Sequence, residues 1–500
     1  MTKSRVTSAL VALVTLSATC GAVLLGFLGA AAGETERGAP PPTAGEKRVW
    51  AASRAAWIYA KPRLTPNGLG YLRAGASVRL STGEPVRGPG CANGWYAVEP
   101  EGYICADQRT AFEPNRFVKS MQLARPTSGP LPFKYALSNH APMYRRLPTP
   151  EEWQHEERFL GEPGSFGELS WGNRGHEKLA IRRAIEPSGA TPVFFADGGS
   201  VSQLRAPAVL RRMIPLGSML AYTRSFEHAG RTWLFSADGT LVPADRVRPF
   251  RESSFEGVQL DGTLRLPLAW VRSEPEPRYV RTERGTFEAT SGHWPVRSPV
   301  PLAAEPSIGF RGDQYWRTLQ NTADGRPSFV RAGKASIVGA LEKLPWGIDA
   351  DEKWIEVSIT RGVLVAYRGR TPVFTTLVSP GAGGVPVKGR DHVKYSTTPM
   401  GRFRVTFKHL AQDMSPDQGE DRRFWIAEVP YTQYFDPPFA LHVAYWHENF
   451  GDPMSAGCIN LSPRDGKWLF EWTGPRLPTG WNGVAPSALG GKGTLIIITR

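Results

Sequence analysis

Cys458 follows His442 by sixteen positions inside one dense stretch, Ala440-Leu-His-Val-Ala-Tyr-Trp-His-Glu-Asn-Phe-Gly-Asp-Pro-Met-Ser-Ala-Gly-Cys-Ile-Asn-Leu-Ser462. A cysteine attacks as its thiolate, and an ordinary thiol pKa of about 8.5 leaves only a few per cent ionised at neutral pH. A histidine within hydrogen-bond reach takes the proton, and the thiolate–imidazolium pair that results stabilises itself. Gly457 lets the chain turn tightly beside the sulfur. Backbone N–H groups around such a turn can face a developing oxyanion. Ser462 and Pro463 predict the cap and first position of a helix. A helix start close behind the thiol would add to its activation.

Bland readings compete with this one. His442 next to Tyr445 and Trp446 would alone read as a satisfied core histidine. The cysteine downstream, in this setting, turns the reading to a base. Trp446 is expected to line a cleft. Two histidines and one cysteine at this spacing match no closed zinc pattern, so no metal is expected. His447-Glu448 lacks the second histidine of a zinc-protease helix. Gly381–Gly389 resembles a phosphate loop but lacks the Lys-Ser/Thr ending, and Pro386 argues against a helix there.

The elements that must position these residues are strands. Lys353-Trp-Ile-Glu-Val-Ser-Ile-Thr360 and Val363-Leu-Val-Ala-Tyr367 flank a glycine turn and predict a hairpin. Thr371–Ser379, Gly401–Phe407 and Gly493–Thr499 predict three more strands, and Arg464–Trp472 a helix. Upstream, Ala56–Tyr59, Ser77–Leu80, Trp95–Val98 and Tyr103–Cys105 read as short strands. Arg231–Leu234 and Tyr315–Thr318 each lead into an Asp-Gly turn, a hairpin signal. Pro148–Glu157 predicts a short helix behind a Thr149 cap.

Composition agrees. Fifty-three glycines and 44 prolines in 500 residues exclude a long helical bundle, and 41% hydrophobic residues exclude disorder. The net charge of +14 favours anionic partners. Lys3 and Arg5 precede an uncharged stretch from Val6 to Gly33, with small residues at Ala30–Ala32. This reads as a secretory signal, or as a membrane anchor by its length. Lipidation at Cys20 is a third option. Each places the rest of the chain outside the cytoplasm, in the periplasm or cell envelope, so no nucleic acid is expected as partner. Past the leader only Cys91, Cys105 and Cys458 remain. A hairpin would bring Cys91 and Cys105 within disulfide range. That leaves Cys458 as the odd thiol of an exported chain.

Two resemblances sharpen the reading. Residues 49–115 resemble the bacterial SH3-like wall-associated module, through Trp57-Ile-Tyr59 with Lys61-Pro62, Gly70–Gly75, Gly94-Trp-Tyr96 and Gly102-Tyr103. Residues from about 350 to 500 resemble the L,D-transpeptidase catalytic domain of the YkuD type. That likeness is carried by Leu441-His442, Tyr445-Trp446-His447, Phe450-Gly451, Ser455-x-Gly457-Cys458-Ile459-Asn460-Leu461, Thr398–Arg404 and Val378-Ser-Pro-Gly381. Ala456 stands where this family usually has a histidine, a loss that lowers the rate unless His447 of the adjacent loop compensates.

The resemblance implies acyl transfer on peptidoglycan stem peptides without a cofactor. Cys458 is the implied nucleophile and His442 the base. Ser455 belongs to the catalytic turn, and the N–H groups of Gly457 and Cys458 meet the oxyanion. Trp446, His447, Asn460 and Tyr445 are expected to bind substrate. The expected fold is mainly β and multidomain: a signal or anchor over 1–33, a linker over 34–48, and an SH3-like barrel over 49–115. One or two β modules over 116–345 and a β-rich catalytic domain with a few short helices over 346–500 complete it. Two alternatives stay open. An NlpC/P60-type endopeptidase would place its cysteine before its histidine, the reverse of the order here. A non-catalytic wall-binding protein would suit Ala456.

Overall fold

The structure is a computed structural model that describes residues 46–169, 175–201, 208–414 and 425–500. The expected leader, with Cys20, lies outside the described residues. No helix among the described residues is long and apolar enough to cross a membrane.

The chain is mainly β. In its first third, β1 (Ala56–Tyr59) and β2 (Gly70–Leu72) pair antiparallel. Cys91 and Cys105 form a disulfide with Cα atoms 5.7 Å apart. The helix α1 (Pro150–Glu157) starts on a full capping box. Thr149 Oγ1 accepts from the Glu152 N–H, and the Glu152 carboxylate accepts from the Thr149 N–H. The long strand β3 (Met219–His228) follows.

The last third opens with the expected hairpin, β4 (Lys353–Ser358) and β5 (Val363–Arg368), in register from Lys353↔Arg368 to Ser358↔Val363. β6 (Thr371–Leu377) extends it on one side. The stretch expected as one strand from Gly401 to Phe407 divides in two. β7 (Gly401–Arg404) stays in this sheet, whereas β8 (Phe407–Met414) leaves for another. Val405 and Thr406 make the corner, Val405 N–H bonding Thr494 and Thr406 N–H bonding Tyr434.

That other sheet holds the site. β8 pairs with β9 (Ile426–Asp436), β9 with β10 (Phe439–Val443), and β10 runs parallel to β11 (Ile459–Leu461). On its far side β8 pairs with β12 (Gly483–Val484), which pairs with β2 and so reaches β1. β9 also meets β3 at Met219↔Ile426. β13 (Leu495–Thr499) returns parallel to β4.

Strand alternation sorts the faces. Ile355, Val357, Leu364, Leu441, Ile459, Leu461 and Ile496 are all 0% exposed and form the core between the two sheets. Each such side chain contributes about 1.5–3 kcal/mol on burial. The helix α2 (Pro463–Trp472) closes that core with Leu469. Its last carbonyls have no partner within the helix. Lys408, fully buried on β8, donates from Nζ to the Phe470 and Thr473 carbonyls and so ties helix to sheet.

Candidate active site

β10 and β11 put His442 opposite Asn460, so the two share one face of the sheet. Cys458 immediately precedes β11, with its Sγ 3.9 Å from the Pro438 carbonyl. Continuing the alternation of β11 back from Asn460 assigns it to the face that carries His442, diagonal to that residue. On the same face β9 places Tyr434 opposite Ala440. Leu441 and Ile459 point the other way, into the core. His442 is thus held within β10, and Cys458 sits at the bend that leads directly into β11.

The turn before Cys458 is equally determined. Ser455 bridges to Gly381. Its Oγ accepts from the Gly457 N–H at 3.0 Å and donates to the Cys458 carbonyl. Gly457 has φ +123°, a conformation that side chains rarely adopt. A Cβ there would lie 2.4 Å from the Phe439 ring and 3.0 Å from the Thr397 carbonyl. The Gly457 N–H, assigned from sequence to the oxyanion, is therefore already held by Ser455.

His442 makes two hydrogen bonds that fix its tautomer. Nδ1 lies 3.0 Å from the Val443 carbonyl, which can only accept, so Nδ1 carries the proton. Nε2 then accepts from Asn460 Nδ2 at 3.1 Å. Asn460 Oδ1 in turn accepts from His447 Nε2 at 3.1 Å, because His447 Nδ1 is the acceptor for the Asn449 N–H at 3.2 Å. Every donor meets an acceptor when both imidazoles are neutral.

Burial pushes both histidines down to about 4. His442 therefore rests neutral. Tyr434 is pushed up to about 12, chiefly by burial and further by the proximity of Cys458.

The four residues expected to bind substrate are buried. Tyr445 is 0% exposed. Its ring stacks on Tyr135 at 3.7 Å and its hydroxyl donates to the Ala427 carbonyl. Trp446 is 8% exposed and its ring packs against His442, centroids 6.0 Å apart. His447 and Asn460, 1% and 2% exposed, position the base from behind. The expected helix start behind Cys458 is present, capped by Ser462. Asp465 N–H bonds the Ser462 cap, and the Asp465 carboxylate turns to Gly257 and Thr376. The residues missed from sequence are Tyr434 and Phe439, whose roles follow from strand register alone.

Two tests arise here. Asn460→Leu leaves the His447 N–H buried without an acceptor, which costs about 1–3 kcal/mol of stability. Denaturant unfolding measures it, and a variant as stable as the parent contradicts the network. Acid is the second test. The unfolded histidines bind protons near pH 6.5, the folded ones near 4, so stability is complete above the higher value and falls as pH drops through this window. Each histidine accounts for about 3 kcal/mol at the low end. Calorimetry from pH 7 to 4 should show a steep fall that His447→Gln reduces; an unchanged profile in that variant removes His447 from the account.

Residues 352–498 match the YkuD family, the L,D-transpeptidase catalytic domain. No curated protein sequence matches the chain. Among solved structures it is similar to an L,D-transpeptidase from Xylanimonas cellulosilytica DSM 15894, at 21% identity over 32% of this chain and 65% of that one, TM-score 0.22. An L,D-transpeptidase from Stackebrandtia nassauensis aligns at 21% identity over 30% of this chain and 57% of that one, TM-score 0.20. The chain thus spans less than two thirds of the length of both. The catalytic domain of an E. faecium L,D-transpeptidase aligns at 20% identity over 30% of this chain and 98% of that one, TM-score 0.21.

Proposed function

With residues 352–498 forming an L,D-transpeptidase catalytic domain, that of a cysteine-nucleophile acyltransferase, we propose that the chain works outside the cytoplasm, cross-linking or remodelling peptidoglycan. The observation that carries this is the parallel pairing of the His442 strand with the strand that starts immediately after Cys458, with His442 Nε2 the unprotonated nitrogen. Cys458 Sγ attacks the carbonyl of the third residue of a tetrapeptide stem. The thiol proton passes to His442 Nε2 and replaces the Asn460 N–H there. The tetrahedral oxyanion forms against the turn that ends at Cys458. Its collapse breaks the peptide bond, and His442 returns the proton to the departing D-Ala amine.

The acyl thioester then meets an incoming amine. His442 takes the proton of that amine, the new amide forms, and the thiol is regenerated. Burial keeps His442 neutral at rest, ready to accept a proton at Nε2. Trp446 over the imidazole keeps water from it. Ala456 is exposed, and the positioning work falls to Ser455, Asn460 and His447.

The test is incubation of the purified chain with tetrapeptide muropeptides and an excess of a free D-amino acid. The reading expects release of D-Ala and its replacement by the added amino acid. Cleavage between other stem residues would mean a peptidase instead. No turnover together with tight binding to sacculi would mean a wall-binding protein.

A further inference from the structure

One sheet face runs without interruption from the nucleophile to the first third of the chain. The strand order β11, β10, β9, β8, β12, β2, β1 takes it across six inter-strand steps. The paired residues on that face are Tyr434 with Ala440, Phe407 with Tyr434, His409 with Gly483, Gly483 with Tyr71, and Tyr71 with Trp57. Five of these seven carry aromatic rings, His409 included. Their rings are in series: His409 to Tyr434 at 5.6 Å, Phe407 to His409 at 4.5 Å, Trp57 to Phe407 at 6.1 Å and Trp57 to Tyr71 at 5.2 Å. Trp57, Phe407, His409 and Tyr434 are all partly exposed. Gly483 keeps the row closed, since a Cβ there would lie 2.2 Å from Tyr71 and 2.8 Å from Phe407.

We propose that this aromatic row is a glycan-binding strip, which seats the sugar chain of the strand whose stem peptide is acylated at Cys458. The proposal rests on the acyl-transfer reading above. Sugar rings present flat C–H faces to aromatic π-clouds, whose faces are electron-rich, and hydroxyls to solvent at their rim. The spacing suits this occupant. Three extended residues separate the reacting carbonyl from the sugar, about 10 Å. Phe407 and His409 lie three strands from Cys458, about 14 Å, and Trp57 six strands away, about 29 Å. The strip therefore begins where the peptide ends and continues over a short run of sugar rings.

The experiment compares two acyl donors on the full chain: a disaccharide-tetrapeptide and the same tetrapeptide without sugars. The expected result is about tenfold higher kcat/KM for the glycosylated donor, expressed in KM, equivalent to about 1.4 kcal/mol of binding. Trp57→Ala and Phe407→Ala abolish the preference and leave the free tetrapeptide within about twofold. Trp57→Phe, which keeps a ring, retains most of it. Equal use of both donors by the parent chain overturns the strip, as does a uniform loss on both donors in Trp57→Ala. If neither donor turns over, acyl transfer itself has failed. Calorimetry of peptide-free glycan oligomers against Cys458→Ala protein then decides the strip independently: binding weakened by Trp57→Ala upholds it, and no binding overturns it.

Discussion

Cys458→Ala lowers turnover of a tetrapeptide donor by at least about 10³-fold, to the rate of the uncatalysed background, while the unfolding midpoint stays where it was. The reasoning has two parts. In the proposed reaction the sulfur forms the covalent bond, and among the described residues no other side chain on that sheet face is a nucleophile of comparable strength. The side chain is also only partly buried and lies outside the core clusters, so its truncation opens no cavity of consequence. Steady-state release of D-Ala and a denaturant curve on the same sample check both. Residual turnover within about tenfold of the parent would remove Cys458 from the mechanism. A collapse of stability would show that the sulfur is structural.

Gly457→Ala carries the second large effect, and it reaches activity through geometry. The backbone there is in a region open mainly to glycine, and the new methyl would press on the Phe439 ring and the Thr397 carbonyl. Neither can retreat easily. Phe439 is 6% exposed in the core, and Thr397 is locked by its own hydrogen bond to His392. The turn must shift, and Cys458 shifts with it. A displacement of about 1 Å at a nucleophile costs about 10²-fold in rate, and the strained backbone costs about 1–3 kcal/mol of stability. The two readouts move together here, unlike in Cys458→Ala. A Gly457→Ala protein with parental kcat would mean that the turn does not set the thiol's position.

The proposed nucleophile and base and the turn glycine stand out in the sequence because they lie within one short stretch and their chemistry is local. Strand alternation then needs only the pairing of β10 with β11 to bring His442 and Cys458 together. What surrounds them was not legible. Tyr445 and Trp446 look like cleft aromatics in sequence, yet residues from far upstream cover them: Tyr135 stacks on Tyr445, and His176 lies against Trp446. His447 and Asn460 are buried as well, bonded to each other and, through Asn460, to His442. The split of the Gly401–Phe407 run was hidden because both halves have strand composition, and only the corner at Val405 separates the sheets.

The continuity from β1 to β11 was the least readable feature. It depends on β12, a strand of two residues, Gly483 and Val484, too short for any periodicity. The apolar pattern of Ala56–Tyr59 and its neighbours predicts strands correctly but carries no record of their partners, because edge pairing is set by the whole packed assembly. Fold class follows from composition and alternation, whereas the face on which the aromatic row meets the nucleophile follows only from register.

The central claim is that Cys458 carries the acyl group. Intact-mass spectrometry of the full chain, quenched in acid during turnover of a tetrapeptide muropeptide and followed by peptide mapping, tests it most directly. The account predicts a mass increase equal to the donor minus D-Ala, located on the peptide that contains Cys458 and absent from Cys458→Ala. D-Ala release with no adduct at any time, or an adduct mapped to another residue, would contradict it.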